Sequence, residues 1–226
     1  MIFSHPTLGH ALKLDGTSIY TLVIENADMF SSYIHEIGNQ CRGKDGKFSL
    51  CSDFCEPIEM KNNVELVIDP FNLDINKKEI LSNMQSELML TAYDADHYSQ
   101  TYDVIQIVSD YLKELYFEIN QQIDSNEIDG KSIIKMASPK FKTNDEDLLQ
   151  RICDYLDVLR TYSKVKLIIF VNMKSFISIE NCNLLNEYIV YNKMNVIYLE
   201  YTQHRLSKHE ILSIIDADLC EICSDK

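Results

Sequence analysis

Short runs of β-branched and apolar residues that read as strands stand on both sides of a long stretch of helical periodicity, and this restricts the fold more than any other feature. Tyr20-Thr-Leu-Val-Ile24 and Val64-Glu-Leu-Val-Ile-Asp69 precede that stretch, while Val165-Lys-Leu-Ile-Ile-Phe-Val171 and Asn195 to Leu199 follow it. Each has the length and composition of a strand buried on both faces. Helices fill the gaps: Asn26 can cap one running to about Gly38, and Ser178 to Tyr191 and Ser207 to Ile215 read as two more. Leu219 to Cys223 reads as a terminal strand, and Gly43-Lys-Asp-Gly46 as a turn joining short strands, the second being Phe48 to Cys51. Strands separated by helices need crossover connections, so the predicted fold class is α/β with a mostly parallel sheet.

The intervening residues, from about Asn76 to Tyr162, have helical periodicity throughout. Asp74 can cap a helix over Lys77 to Thr91, and Asp94 or Asp96 can start a second that runs to about Gln121. A third begins near Asp129 and breaks at Pro139, and a fourth spans Asp145 to Arg160. Val104, Val108, Leu112 and Leu115 make one apolar stripe on the second; Leu148, Leu149, Ile152, Tyr155, Leu156 and Leu159 are predicted to point inward on the fourth. The predicted domains are a sheet domain of residues 1–75 and 165–226 and an all-helical arm of residues 76–164.

With 226 residues, 46% hydrophobic, the chain can bury a core without covalent staples. Its first residues, MIFSHPTLGH, lack a basic stretch followed by an apolar run, and no segment approaches eighteen uninterrupted apolar residues, so neither export nor membrane spanning is expected. Seven cysteines without regular spacing suit a reducing cytoplasm and are expected to be mostly buried thiols.

A net charge of -14 excludes a protein that coats DNA over its whole surface, because the mean field repels phosphate. The charge is uneven, however. From Asp94 to Asp129 there are nine Asp or Glu against the single Lys113, whereas Lys131 to Lys142 carries four lysines and no acid. Asp103, Asp110, Glu114 and Glu118 are spaced by whole helical turns and form one carboxylate stripe, with Asp124, Glu127 and Asp129 on the turn that follows. Such a stripe is relieved by solvent or by a hard cation such as calcium; from pattern alone, with no EF-hand loop, solvent is the preferred reading. Lys131, Lys135, Lys140 and Lys142 are the best candidates for phosphate contact, with Arg42, Lys44 and Lys47, and Arg160, Lys164 and Lys166, as secondary patches. Charge alone favours simple surface solubility for them, and no base-reading motif accompanies them.

Catalytic signatures are missing. The turn after Ile24, Glu-Asn-Ala-Asp-Met, has no glycine and no Lys-Ser/Thr pair to hold a phosphate, and Asp69 at a strand end reads as a polar terminus. No serine sits in a nucleophile elbow. Cys51 and Cys55 with Cys220 and Cys223 are a poor zinc set, and His204 and His209 a poor ligand pair.

Tyr20-Thr-Leu-Val-Ile-Glu-Asn26, Val64-Glu-Leu-Val-Ile-Asp69 with Leu73-Asp-Ile-Asn-Lys77, Ile168-Ile-Phe-Val-Asn-Met-Lys-Ser-Phe176 and Asn195-Val-Ile-Tyr-Leu-Glu200 resemble, in order and spacing, the small type II-A CRISPR adaptation protein family. The resemblance covers nearly the whole chain. It implies a sheet domain similar to P-loop ATPases without their phosphate loop, interrupted by a helical arm. It also implies a non-catalytic, cytoplasmic homotetrameric ring that binds calcium in the arm and holds double-stranded DNA ends in a lysine-lined channel, supporting acquisition of new spacers. The partners implied are the CRISPR integrase proteins and the RNA-guided nuclease. Carried over by the resemblance, the calcium ligands are Glu118, Asp124 and Glu127 with Glu114 and Asp129 nearby, and the channel lysines are first Lys131 and Lys135. Asn120 and Gln122 stand where further acids are expected. An acidic scaffold for those partners and a degenerate nucleoside triphosphatase are the alternatives.

Overall fold

The computed structural model describes residues 1–119, 122–143 and 147–223, with only the backbone of Cys223. The chain divides into two compact units, Met1–Asp74 with Thr143–Lys226 and, between them in sequence, Ile75–Lys142.

Among the described residues the first unit is built on ten strands: β1 (Ile2–Ser4), β2 (Leu12–Lys13), β3 (Ile19–Ile24), β4 (Ser49–Cys51), β5 (Pro57–Ile58), β6 (Val64–Val67), β7 (Leu167–Val171), β8 (Val196–Glu200), β9 (Glu210–Ile215) and β10 (Glu221–Cys223). Six form a sheet in the order β10-β9-β3-β8-β7-β6, parallel except for β10, which runs antiparallel on β9. A small antiparallel sheet follows the order β2-β1-β4-β5. The period-two alternation of strands divides the large sheet into two buried faces. Leu22, Ile24, Ile169, Val171, Ile197 and Leu199 join Phe30, Tyr33 and Ile37 of helix α1 (Ala27–Cys41) and Phe3, Leu12 and Leu50 of the small sheet in one core. The opposite face carries Thr21, Phe170, Tyr198 and Glu200, and helices α5 (Leu148–Tyr162) and α6 (Ile179–Tyr191) pack together on that side. Caps set the helix starts: Asn26, Asp147 and Ser178 side chains accept from the amides of Met29, Leu149 and Asn181.

The second unit holds α2 (Lys78–Ala92), α3 (Tyr98–Phe117) and α4 (Gly130–Ala137), with α4 packed on both others.

Several expectations are corrected. Residues 210–215 form a strand, not part of a helix over 207–215: Ile211, Leu212, Ile214 and Ile215 are aliphatic neighbours in a six-residue parallel register with β3, which outweighs local propensity. Helix α5 belongs to the sheet unit rather than the arm, because its apolar side is consumed there, and the helical unit closes at Lys142 instead of residue 164. The turn at residues 43–46 leads from α1 into β4 and joins no strand pair. Lys77, not Asp74, is the α2 cap residue, and it makes no side-chain cap bond. The apolar stripe of Val104, Val108, Leu112 and Leu115 lies on α3, none of whose residues is buried. Among the described cysteines only Cys182 is buried, and Cys55 and Cys220 are exposed. Asn120 and Asp145 lie outside the described residues. Among those described, no helix is long and apolar enough to cross a membrane.

Candidate functional site

Helix α4 begins where Asp129 accepts from the Ser132 amide at 2.8 Å and the Ser132 hydroxyl at 2.6 Å. The Ser132 hydroxyl is the main influence that holds the Asp129 carboxyl below its ordinary range. The Gly130 amide donates to the Tyr93 hydroxyl at 3.1 Å, and a Cβ at Gly130 would meet that ring at 3.1 Å, so the end of α2 and the start of α4 are held closely together. This positions Lys131 and Lys135, both exposed and four residues apart on one face. Lys135 also lies in the last turn, where a cation suits the helix dipole. Lys140 and Lys142 flank Phe141, whose amide donates to Asn76 Oδ1 at 2.9 Å and whose carbonyl accepts from Asn76 Nδ2 at 3.2 Å. All four lysines are exposed, and none forms an ion pair among the described residues.

The acids are arranged differently. Asp124 and Glu127 line one cleft of about 640 Å³ together with Ser109, Lys113 and Tyr116 of α3. Glu114 lies on α3 and Glu118 caps its C-terminus; both are exposed and neither lines that cleft. Asp103 and Asp110 are exposed on the same helix, and Asp110 pairs with Lys113 at 2.9 Å. Asp129 serves as the α4 cap. Among the described residues no three His, Cys, Asp or Glu side chains are gathered as metal ligands, the sparse Cys51, Cys55 and Cys220 set included. In kind the donors suit calcium: they are carboxylates, and segment 122–128 is in no helix or strand, whereas the Asp129 carbonyl already accepts from the Ser132 and Ile133 amides of α4.

In the sheet unit, Asn26 occupies the start of α1 as its cap and also donates to the Ala217 carbonyl at 3.2 Å. Asp69 accepts from the Phe71 amide at 2.9 Å, closing a turn. Of the secondary basic patches, Arg160 and Lys166 line a cleft of about 260 Å³ that also includes Lys193, although Arg160 already pairs with Asp157 at 3.2 Å.

Sequence pattern missed a buried polar cluster. Lys174, in a short 3-10 helix (Met173–Ser175), pairs with Glu210 at 2.7 Å with the two side chains 4% and 0% exposed. Glu210 also accepts from Thr21 Oγ1 at 3.1 Å and Asn186 Nδ2 at 3.1 Å, and Tyr198 donates to Asn186 Oδ1 at 2.7 Å. The signal in the sequence was thin: one glutamate ending the apolar run of β8 and another opening β9.

A family model described as CRISPR-associated protein (Cas_Csn2) matches residues 40–219. Among solved structures, the crystal structure of Stu0660 of Streptococcus thermophilus is similar over 96% of this chain and 75% of that chain, at 12% identity and a TM-score of 0.58, a likeness of fold alone. A nucleotide-free ATP-binding cassette from an ABC transporter covers 96% of this chain and 85% of its own at 11% identity, and its TM-score of 0.46 is too low to bear on this chain.

Proposed function

The chain belongs to the Cas_Csn2 family of CRISPR-associated proteins, and from that premise we propose that it binds ends of double-stranded DNA without regard to sequence and without catalysis. In this reading four copies form a calcium-dependent ring whose cationic channel receives the duplex while new spacers are acquired. The observation that carries the DNA part is the set of four exposed lysines between residues 131 and 142, unpaired among the described residues, on a chain of net charge -14. A positive patch on an acidic body directs phosphate to one place, and contacts to phosphate alone are indifferent to sequence.

Assembly is supported by α3, twenty residues long with none buried, where Ile107 is 70% and Phe117 89% exposed. Apolar surface of this kind marks a contact with another chain. Calcium would have to draw Glu118 to Asp124 and Glu127, which share a cleft that Glu118 and Glu114 do not line, with Asp129 kept as the α4 cap. The exposed acids of α3 also favour a second reading, an acidic docking face for the integrase proteins and the guide nuclease.

The test compares a linear duplex with the same duplex covalently closed into a circle, in mobility-shift titrations with calcium or with a chelator. Retardation of the linear form only, requiring calcium and weakening steeply with salt, is expected, since a ring needs a free end to thread. Equal affinity for both forms would overturn end binding. No affinity for either would leave the docking reading standing.

A further inference from the structure

The buried cluster of the sheet unit plays no part in the function proposed above, yet it holds one group more than its interior charges balance. Glu200, the last residue of β8, is 0% exposed, and its Oε2 has no hydrogen-bond partner among the described residues. Its Oε1 accepts the Lys174 amide at 3.1 Å. Facing Oε2 is His204 Nε2 at 3.6 Å, within ion-pair reach but too long for a hydrogen bond. His204 belongs to the segment 201–209 that connects β8 to β9.

That segment is fastened to the cluster beneath it. Lys174 Nζ donates to the Arg205 carbonyl at 3.0 Å and Asn186 Nδ2 to the Lys208 carbonyl at 2.9 Å. In return the Tyr201 amide donates to Asn172 Oδ1 at 2.9 Å and the Lys208 amide to Asn183 Oδ1 at 2.8 Å. Asn172 has a φ of 51°, a left-handed conformation that asparagine accepts and that begins the 3-10 turn carrying Lys174.

The groups around Glu200 come from several elements: Lys174 from the 3-10 helix, Glu210 from β9, His204 from the connecting segment and Tyr198 from its own strand, while Cys182 of α6 reaches Glu210 instead, at 3.7 Å. Burial keeps the last two neutral, pushing the Cys182 thiol up to about 11 and the Tyr198 phenol well above its ordinary value. Two carboxylates therefore share the single ammonium of Lys174, which is already committed to Glu210. Burial is the main influence pushing the Glu200 carboxyl up to about 7, with Glu210 adding to it and Lys174 opposing. Burial, helped by Lys174, pushes His204 below its ordinary value.

We propose that Glu200 and His204 form a proton-dependent latch, in which one proton held by the pair keeps segment 201–209 seated and its loss releases the segment toward water. With the proton present, the pair is either a neutral acid beside a neutral imidazole or an ion pair, and neither leaves an uncompensated charge in the interior. Without it, a second carboxylate is charged in the interior with no cation of its own, and opening the segment is the way to hydrate it. The segment contains Arg205 and Lys208 and no acid, and Lys208 pairs with Glu187 of α6 at 2.6 Å, so the latch sets the position of Arg205 and whether that surface ion pair is kept.

NMR titration of the Glu200 carboxyl carbon and the His204 ring, with exchange rates of the Tyr201 and Lys208 amides, tests this directly. The expected result is a Glu200 inflection near pH 7, with protection of both amides falling about tenfold or more through the same inflection after correction for intrinsic rates. In Glu200→Gln, which keeps the hydrogen-bonding shape without the charge, both amides stay protected at every pH. A Glu200 inflection in the ordinary carboxylate range, protection that ignores pH, or an unchanged pH profile in Glu200→Gln would each overturn the latch. If the variant does not fold, the wild-type titration decides by itself.

Discussion

Helices α5 and α3 show how differently the two units are built. The fifteen residues of α5 bury Ile152, Tyr155, Leu156, Val158 and Leu159, whereas the twenty of α3 bury none and leave Ile107, Tyr111 and Phe117 exposed. Both carry apolar residues at helical spacing, so the pattern in the sequence does not separate them. What separates them is the availability of a covering surface: the sheet unit supplies α6 beside α5, while nothing in the helical unit buries α3. The same contrast holds for charge. The sheet unit hides Lys174, Glu200 and Glu210 among hydrogen-bond partners, and the helical unit exposes its carboxylates and lysines to solvent.

The sharpest way to break this contrast is to remove one cation from each unit. Lys174→Met removes the buried cation that Glu210 pairs with at 2.7 Å, and equilibrium urea unfolding should show a loss of about 3–5 kcal/mol. Lys113→Met, whose partner Asp110 is exposed, should cost less than about 1 kcal/mol. Comparable losses would mean that the two ion pairs are not different in kind.

The apolar residues give a second contrast. Leu156→Ala, at a position 0% exposed, should destabilise by about 2–5 kcal/mol, through lost transfer energy and a residual cavity. Ile107→Ala should change monomer stability by no more than about 0.5 kcal/mol. Sedimentation equilibrium should instead show Ile107→Ala weakening self-association, and unaltered association would remove α3 from the interface.

Acidity probes the sheet unit alone. Because the folded-state value of Glu200 is raised from 4.5 to about 7, its contribution is fully present below the unfolded value and is lost as pH rises through the folded one. Unfolding free energy should therefore decline by about 3 kcal/mol between those limits and then level off, a decline that Glu200→Gln abolishes. The smallest expected effect lies in the helical unit. Lys131→Ala combined with Lys135→Ala should reduce the slope of log affinity for duplex against log salt by about 2, equally for all sequences, while unfolding stays unchanged.

Strands with a strong apolar signal and one capped helix were legible: β3, β7 and β8 lie where their apolar runs stand, and Asn26 caps α1 as its side chain suggests. The pairs β1–β2 and β4–β5 were only partly so, since strands of two or three residues carry no periodicity. The segment from 207 to 215 misled because its aliphatics suit either structure until β3 is beside them. The switch from acid to lysine at residues 129–131 was visible, but the use of Asp129 as a cap and the absence of Glu114 and Glu118 from the cleft of Asp124 and Glu127 depend on side-chain direction. Glu200 and Lys174 were illegible because the groups around them come from β3, α6 and β9, far apart in the chain.

The central claim is that the sheet unit is complete in itself and that the helical unit is completed by calcium and by further copies of the chain. Hydrogen exchange by mass spectrometry, with and without calcium and linear duplex, tests it most directly. Peptides from α3 and from residues 122–142 should gain protection when both are added, while those from β7 and β8 remain as they were. Unchanged exchange along α3 and residues 122–142 under saturating calcium and duplex would contradict the account.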